Sequence, residues 1–368
     1  IKRGVEIELQ IESLAYGGMG LARKDDFVIF VKGGIPGQKV IARIYKKKKG
    51  YAEARVQQIL TESPHAVEAP CIHFGTCGGC KFQNLSYEEQ LKEKSNQVED
   101  AFRRLGGFLD FKLDDTIGAD PIFNYRNKME FTFSPHRWVL DTEPEGVDKS
   151  FAVGLHIPGR YDKILDIKEC HIQPTIGNKI MKVAREVCLA HPDLKPYDPK
   201  THIGFLRFLM LRFGVNTNQI MVNIVTAYDD LNKLSPLIDA LLEQVPEITS
   251  MVNNVNTRKA DVAFGEFETL VFGEPFIQEK LGDLTFEISA NSFFQTNTIQ
   301  GERLYDEAKK AAGLTGEEIV FDLYCGTGTI GLYLSKQAKE VYGFEVIRSA
   351  LEDAEKNAER NGITNAQF

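Results

Sequence analysis

The chain has 368 residues, more than one hydrophobic core ordinarily serves, so its length predicts two or three domains. Hydrophobic residues make up 43% and charged residues 26% of the sequence, which excludes disordered, collagen-like and coiled-coil chains. The longest apolar run, around residues 205–213, is interrupted by Arg207 and Arg212 and falls short of the roughly 18 residues of a membrane helix. Since no apolar signal region opens the sequence, we expect a cytoplasmic protein that does not bind membranes.

Charge is distributed unevenly along the chain. The formal net charge is −8, yet residues 1–60 contain twelve Lys and Arg against six Asp and Glu. A basic module attached to an acidic body is common where a protein binds a polyanion such as RNA. The run Lys46, Lys47, Lys48 and Lys49 supplies the candidate RNA contacts, and its alternative interpretation is a solvated face without a ligand.

Residues 1–62 are predicted to form a small, OB-like β-barrel. Short stretches of alternating apolar and polar residues are separated by glycine-rich turns such as Gly17-Gly18-Met19-Gly20. Further along, Ser86 and Glu89 have the spacing of a capping box, and apolar residues then recur at helical spacing. This pattern predicts a helix over residues 87–105, which Gly106-Gly107 ends.

Residues 63–288 are predicted to form a central α+β domain. Its strands are expected at residues 128–133, 151–156, 205–213, 219–226, 266–272 and 284–288, and its helices at residues 176–190 and 231–244.

Residues 289–368 read as the start of a Rossmann-like α/β domain. Strands at 319–323 and 340–345 alternate with helices at 330–337 and 348–361. A buried doubly wound sheet needs about four or five further strands, so the sequence is expected to lack the C-terminal part of this domain. The predicted fold class is therefore a multidomain α/β protein with an N-terminal barrel and a truncated C-terminal domain.

Three of the six cysteines are clustered. Cys71, Cys77 and Cys80 form a C-x5-C-x2-C pattern with glycines between them, and Cys170 is the natural fourth ligand from a distant strand. Four thiolates suit either a tetrahedral zinc ion or a [4Fe–4S] cluster. One tight group plus a remote single cysteine favours the cluster, whereas a zinc ribbon usually has two C-x2-C pairs. The remaining alternative is a set of buried thiols without a metal.

The segment from Phe321 to Gly331 contains a G-x-G-x-x-G turn that includes Gly326 and Gly328. This turn fits nicotinamide dinucleotide folds as well as S-adenosylmethionine folds. Asp322 precedes the turn, where a cationic amino-acid cofactor would be stabilised by its carboxylate, and this favours the methyl donor. Glu345, nineteen residues after Gly326, is placed to accept both hydroxyls of a ribose.

These segments together resemble the iron–sulfur-containing RNA uracil-5-methyltransferases, which act on ribosomal or transfer RNA. The resemblance is carried by four features in order. They are the basic barrel, which looks like a TRAM domain, the segment His73–Gln83 with its three cysteines, the two motifs Tyr125-Arg126-Asn127-Lys128 and Phe293-Phe294-Gln295, and the segment Asp322-Leu323-Tyr324-Cys325-Gly326-Thr327-Gly328.

The resemblance implies a cofactor, a cluster and a partner. It implies that Gln295, Tyr324, Thr329 and Glu345 contact S-adenosylmethionine, together with the turn at Gly326 and Gly328. It further implies that Cys71, Cys77, Cys80 and Cys170 hold a [4Fe–4S] cluster. The RNA contacts it implies are Arg126, Lys128 and Phe293, the last of them near a flipped-out base. Paired phenylalanines are, from the pattern alone, more often core residues than base contacts. Helix 87–105 is expected to pack with the methyltransferase domain, and the protein is expected to be a monomer.

The implied reaction is methylation of uridine C5 in structured RNA, with ribosomal RNA favoured over transfer RNA. Uracil C5 is a weak nucleophile, so a cysteine thiolate must first add to C6 and a base must later remove the C5 proton. Neither Cys188 nor Cys325 is expected to be that nucleophile, which we expect C-terminal to Phe368 together with the base. Two alternatives stay open: an RNA-binding scaffold without catalysis, and an NAD-dependent iron–sulfur oxidoreductase.

Overall fold

The computed structural model describes residues 1–260 and 262–368, with the exception of the Tyr161 side chain. It divides into two compact units, residues 1–120 and residues 121–368. In neither described range is there a helix with the length and apolar character needed to cross a membrane. The expected domain boundaries at residues 62 and 288 stay a prediction.

The first unit contains a six-stranded sheet with the strand order β1-β5-β6-β4-β3-β2. Its strands are β1 (Glu6–Gln10), β2 (Ser13–Leu14), β3 (Gly20–Lys24), β4 (Phe27–Lys32), β5 (Lys39–Lys47) and β6 (Tyr51–Thr61). All pairs are antiparallel except β4 with β6. Because side chains alternate between the two faces of a strand, every second residue enters one apolar core. The buried members of this core are Leu9, Ile11, Ala22, Ile29, Val31, Val40, Ala42, Ile44, Ala52 and Ala54.

The predicted helix follows as α1 (Tyr87–Arg104), and Ser86 is its N-cap, since Ser86 Oγ accepts a hydrogen bond from Glu89 N at 3.4 Å. The reciprocal half of a capping box is not formed, because Ser86 N donates to His65 O at 2.8 Å. The helix contacts β2 through polar groups: Leu14 N donates to the Glu93 carboxylate, and Gln97 Nε2 donates to Leu14 O at 3.1 Å. The expected packing of this helix with the methyltransferase domain stays a prediction.

The second unit is built on a mixed eight-stranded sheet with the order β14-β13-β12-β11-β7-β9-β10-β8. These strands are β7 (Lys128–Ser134), β8 (Arg137–Trp138), β9 (Ala152–Ile157), β10 (Arg160–Asp166), β11 (Leu206–Gly214), β12 (Gln219–Thr226), β13 (Ser250–Val255) and β14 (Phe267–Gly273). Helices α2 (Thr175–Ala190) and α3 (Leu231–Gln244) pack against each other. All nine residues of β11 are buried, as a central strand requires.

A hairpin leads from this sheet to a short parallel sheet. The remaining elements are β15 (Phe276–Leu281), β16 (Leu284–Ser289), α4 (Thr298–Ala312), β17 (Ile319–Leu323), α5 (Thr329–Leu334), β18 (Glu340–Phe344), α6 (Arg348–Arg360) and β19 (Ala366–Gln367). Strands β17, β18 and β19 pair in parallel. One core joins the hairpin to the helices, and it includes Phe286, Phe294, Tyr305 and Leu332.

The predicted strands and helices are confirmed, with ends that agree to within about one residue except at the helix predicted over residues 330–337, where α5 ends at Leu334 and residues Ser335–Gln337 form a 3-10 turn. The sequence patterns missed α4 and several strands, among them β13. Asn253 and Asn254 disfavour a strand by composition, but both are buried and donate hydrogen bonds to β12, Asn253 to Ile224 O and Asn254 to Asn223 Oδ1. Tertiary partners therefore outweigh the local preference at this strand.

Candidate functional site

The glycine-rich turn lies between β17 and α5. Tyr324, Gly326 and Gly328 all adopt left-handed backbone conformations, with φ of 62°, 55° and 74°. Glycine tolerates this region, whereas a tyrosine there is strained, and such residues concentrate at functional sites. The turn thereby holds the exposed ring of Tyr324 at the carboxyl end of β17.

An open cleft of about 670 Å³ lies at the carboxyl ends of β17 and β18. Ligands of open α/β sheets bind at this edge of the sheet. Of the predicted cofactor residues, Tyr324 and Glu345 line the cleft. The full lining consists of Leu323, Tyr324, Tyr342, Gly343, Phe344, Glu345, Val346, Leu351, Gln367 and Phe368.

Glu345 closes the end of β18 with a carboxylate that three backbone groups hold. Gly326 N donates to Oε2 at 3.2 Å, and Val346 N and Ile347 N donate to Oε1 at 2.7 and 3.0 Å. These backbone hydrogen bonds lower the pKa of Glu345, so the group is ionised at neutral pH. A fixed, ionised carboxylate can accept hydrogen bonds from the hydroxyl groups of a ligand.

Asp322 stabilises the glycine-rich turn through a hydrogen bond with the backbone of α5. Its Oδ2 accepts a hydrogen bond from Gly331 N at 2.9 Å and so ties β17 to the first turns of α5. Burial raises the pKa of the Asp322 carboxyl, which the hydrogen bond from Gly331 partly opposes. The structure therefore shows a role of this residue in the fold, beside the electrostatic role that its position in the sequence predicts.

The two cysteines that we expected not to be nucleophiles are both buried. Burial, followed by the charges of Asp322 and Glu345, raises the pKa of Cys325 to about 11. Burial alone raises the pKa of Cys188 to about 12. Because the thiolate is the reactive form, neither thiol is activated for nucleophilic attack. The identity of the nucleophilic cysteine stays a prediction.

The Phe293-Phe294 pair is divided between two environments. Phe294 is 3% exposed and belongs to the core, as paired phenylalanines usually do, whereas Phe293 is 70% exposed. The buried Arg212 holds the segment just before the pair, donating through Nε to Ala290 O at 3.1 Å and through Nη2 to Ser292 O. Arg212 thus fixes the loop that presents Phe293 to solvent.

Tyr305 of α4 lies beside Thr329, the first residue of α5, and its hydroxyl is 3.1 Å from Thr329 Oγ1. Gln295 lies on the loop before α4, where its backbone carbonyl accepts a hydrogen bond from Asn127 Nδ2 at 2.7 Å. The local patterns did not identify Tyr305, although Thr298, Gly301 and Tyr305 form the buried stripe of α4 at helical spacing.

The predicted RNA contacts near β7 make contacts within the protein. Arg126 Nε donates to Lys128 O at 3.0 Å, and Lys128 Nζ pairs with Glu130 at 2.6 Å. Burial and the neighbouring Arg212 lower the pKa of Lys128. Their role toward RNA stays a prediction.

The lysine run lies at the hairpin between β5 and β6, and its four side chains are exposed. Lys46 Nζ forms an ion pair with Glu53 at 2.5 Å, and this contact raises the pKa of Lys46. Lys46 is therefore partly neutralised by a protein carboxylate, a difference within the run that the sequence does not reveal.

Cys71, Cys77 and Cys80 lie on a half-buried loop of the first unit, and Cys170 is buried in the second. Gly79 N donates a hydrogen bond to Cys77 Sγ at 3.4 Å. Within the described part of the chain, no group of three or more His, Cys, Asp or Glu side chains is arranged to hold a metal ion. The predicted cluster is therefore not shown.

Comparison with known proteins gives two family matches. Residues 2–57 match the TRAM domain, which confirms the predicted barrel, and residues 248–368 match the tRNA (uracil-5-)-methyltransferase family.

Several relatives match along most of the chain. An uncharacterized RNA methyltransferase of Chlorobaculum tepidum is 45% identical over 338 residues, covering 90% of this chain and 70% of the relative. Another uncharacterized RNA methyltransferase, from Porphyromonas gingivalis, is 40% identical, with 98% of this chain and 79% of the relative covered.

A solved structure is similar over nearly the whole chain. The Pyrococcus abyssi tRNA (uracil-54, C5)-methyltransferase, in complex with S-adenosyl-L-homocysteine, shares 27% identity and a TM-score of 0.74. The similarity covers 98% of this chain and 78% of the Pyrococcus chain. None of these matches favours an oxidoreductase or a scaffold without catalysis. The chain is an RNA methyltransferase and belongs to the tRNA (uracil-5-)-methyltransferase family.

Proposed function

We propose that this enzyme transfers a methyl group from S-adenosylmethionine to C5 of uridine in structured RNA. The observation that carries the proposal is the cleft at the carboxyl ends of β17 and β18, whose lining includes Tyr324 and Glu345. The Pyrococcus relative is described in complex with the demethylated form of this cofactor, which supports the same assignment here. The resemblance favours ribosomal over transfer RNA, whereas the Pyrococcus relative is a tRNA methyltransferase, so the substrate RNA must be decided by experiment.

The cofactor would be held by Gln295, Tyr324, Gly326, Gly328, Thr329 and Glu345. Glu345 would accept hydrogen bonds from the ribose hydroxyls, because its carboxylate is ionised and held by three N–H groups. The exposed ring of Tyr324 would contact the cofactor from the turn. Bound there, S-adenosylmethionine supplies an electrophilic methyl group.

The RNA would be bound by two kinds of contact. The exposed lysines of the barrel would contact phosphates and supply affinity that depends on salt but not on sequence. Phe293 is exposed on a loop that Arg212 holds in place, and its ring could stack against an extruded base. Extrusion is required because C6 of a stacked uracil is not accessible to a nucleophile.

We propose that catalysis uses a cysteine other than Cys188 and Cys325. In this scheme the thiolate forms a bond to C6, and the electron pair of the C5–C6 double bond makes C5 nucleophilic. After C5 has taken the methyl group, a base removes the C5 proton and the C6–sulfur bond breaks, which restores the thiolate. The raised pKa values of Cys188 and Cys325 support their exclusion.

The activity is tested with the protein produced from its natural gene. Uridine tritiated at C5 is incorporated into ribosomal and transfer RNA transcripts, and tritium release is measured with S-adenosylmethionine present. Release from one RNA class, absent without the cofactor, is the expected result. Methyl transfer without tritium release would show that C5 is not the target.

We further propose that Cys71, Cys77 and Cys80 hold a [4Fe–4S] cluster. Three thiols within ten residues, with the N–H of Gly79 directed at Cys77 Sγ, are a suitable donor set, since such hydrogen bonds stabilise cluster sulfurs. Cys170 as the fourth ligand stays a prediction of the resemblance.

Anaerobic purification tests the cluster. We expect brown protein with about four irons per chain, lost in Cys77→Ser but retained in the control Cys188→Ser. Colourless protein with one zinc per chain would contradict the assignment.

A further inference from the structure

Tyr305 is a buried polar residue that the proposed reaction does not use directly. It is 2% exposed and lies in α4 within the core of the second unit. Its ring packs edge-on against Tyr333, with the ring centroids 5.6 Å apart. A ring held in this way has little freedom to move, so its hydroxyl is a fixed point in the structure.

The Tyr305 hydroxyl connects α4 to the first residue of α5. Thr329 directly follows the glycine-rich turn, and its Oγ1 lies 3.1 Å from the Tyr305 oxygen. Thr329 is among the proposed cofactor contacts.

The start of α4 is held by a separate set of contacts. Asn127 Nδ2 donates to Gln295 O at 2.7 Å and to Thr298 Oγ1 at 2.9 Å. Thr298 in turn donates to the buried Glu279 at 2.8 Å. These contacts fix the N-terminal end of the helix that carries Tyr305, so the Tyr305 hydroxyl is held in place relative to α5.

The hydroxyls of Tyr305 and Thr329 can each donate and accept a hydrogen bond, so the pair can form with either oxygen as the donor. Burial raises the pKa of Tyr305, which keeps the hydroxyl protonated at any physiological pH. The pairing therefore does not depend on pH.

We infer that Tyr305 is a positioning residue for the cofactor site, because its hydroxyl sets the side-chain orientation of Thr329. The inference rests on the proposed function, since it assumes that Thr329 contacts the S-adenosyl ligand. Tyr305 itself need not touch the ligand.

Calorimetric binding of S-adenosylhomocysteine tests the inference. Tyr305→Phe keeps the ring and removes only the hydroxyl, and we expect the dissociation constant to rise about threefold to tenfold. Tyr333→Phe is the matched control, because its hydroxyl bonds to Asp306 at the surface, and its affinity should equal that of the wild type. An unchanged affinity in Tyr305→Phe would overturn the inference.

A double-mutant cycle separates positioning from general destabilisation. If Tyr305 acts through Thr329, then Tyr305→Phe should weaken binding much less in a Thr329→Val background than in the wild type. Full additivity would refute the coupling, whatever the change in melting temperature. Failure of the wild-type protein to bind S-adenosylhomocysteine would instead overturn the proposed cofactor site itself, so the two failures are distinguishable.

Discussion

The barrel and the parallel strands β17 and β18 distribute apolar side chains in opposite ways. In the barrel the alternating apolar residues meet in a closed core, where Ile44 is 1% exposed. In β17 the apolar residues Phe321 and Leu323 lie on a face that is exposed in this chain of 368 residues, and Phe321 is 62% exposed. The barrel covers its own interior, whereas a parallel sheet depends on other elements to cover its faces.

The two regions would also bind their ligands in different ways. The barrel directs its lysines outward, so its ligand contacts are charges on flexible side chains. The parallel sheet ends at a rigid edge, where the backbone groups of Gly326, Val346 and Ile347 hold the carboxylate of Glu345. The barrel therefore suits general attraction to a polyanion, and the sheet edge suits one defined small ligand.

The largest effect on the free energy of unfolding is expected in the barrel core, when one substitution there is compared with one in β17. Ile44→Ala should lower the free energy of unfolding of the barrel by about 2–5 kcal/mol, because it leaves a cavity in a closed core. Phe321→Ala should cost less than about 1 kcal/mol, since its side chain is mostly exposed. Urea unfolding followed by circular dichroism and hydrogen exchange measures both. Equal losses would mean that the β17 face is covered in solution and that the two regions do not differ in this respect.

Within the second unit, removing a buried arginine should lower the free energy of unfolding more than removing an exposed one. Arg212→Ala removes the hydrogen bonds to Ala290 O and Ser292 O and should cost about 2–3 kcal/mol of unfolding free energy. Arg348→Ala serves as the control, because Arg348 is exposed and pairs only with its helix neighbour Glu352. A melting temperature that Arg212→Ala leaves unchanged would show that the loop is held by other contacts.

At the sheet edge, Glu345→Gln should weaken S-adenosylhomocysteine binding about tenfold, because it removes a charged acceptor. Glu352→Gln, on the exposed surface of α6, is the control. The lowered pKa of Glu345 means that its carboxylate stays ionised until the pH falls below the ordinary range of a glutamate. Wild-type affinity should therefore be constant from about pH 8 to about pH 5 and be lost only at lower pH. A loss of affinity already at about pH 6 would assign the titration to another group.

The smallest effect is expected for single lysines of the barrel. Lys48→Ala should raise the dissociation constant for RNA about twofold to fivefold and lower the salt slope by about 0.7–0.9. Lys46→Ala should change both quantities less, because Glu53 already pairs with Lys46. Filter binding at several salt concentrations distinguishes the two variants. Identical slopes for wild type and Lys48→Ala would leave the lysine run a solvated face.

Much of the candidate site could be predicted from the sequence. The glycine turn and Glu345 follow from local patterns and Tyr324 from the family resemblance, and the structure places Tyr324 and Glu345 at one cleft. Tyr305 was missed because its role depends on a hydroxyl that meets Thr329 only after α4 has packed. The ion pair of Lys46 with Glu53 was missed for a similar reason, since it depends on the register of β5 and β6.

Local patterns in the sequence predict the barrel, helix α1 and the strand–turn–helix that precedes Glu345, because periodicity, capping and glycine turns act over a few residues. Tertiary packing sets which phenylalanine of the 293–294 pair is exposed, that the Tyr305 hydroxyl lies beside Thr329, and that Arg212 binds the backbone of Ala290 and Ser292. Those features depend on packing between residues far apart in the chain, where burial and hydrogen-bond partners are set by neighbours that no local pattern identifies.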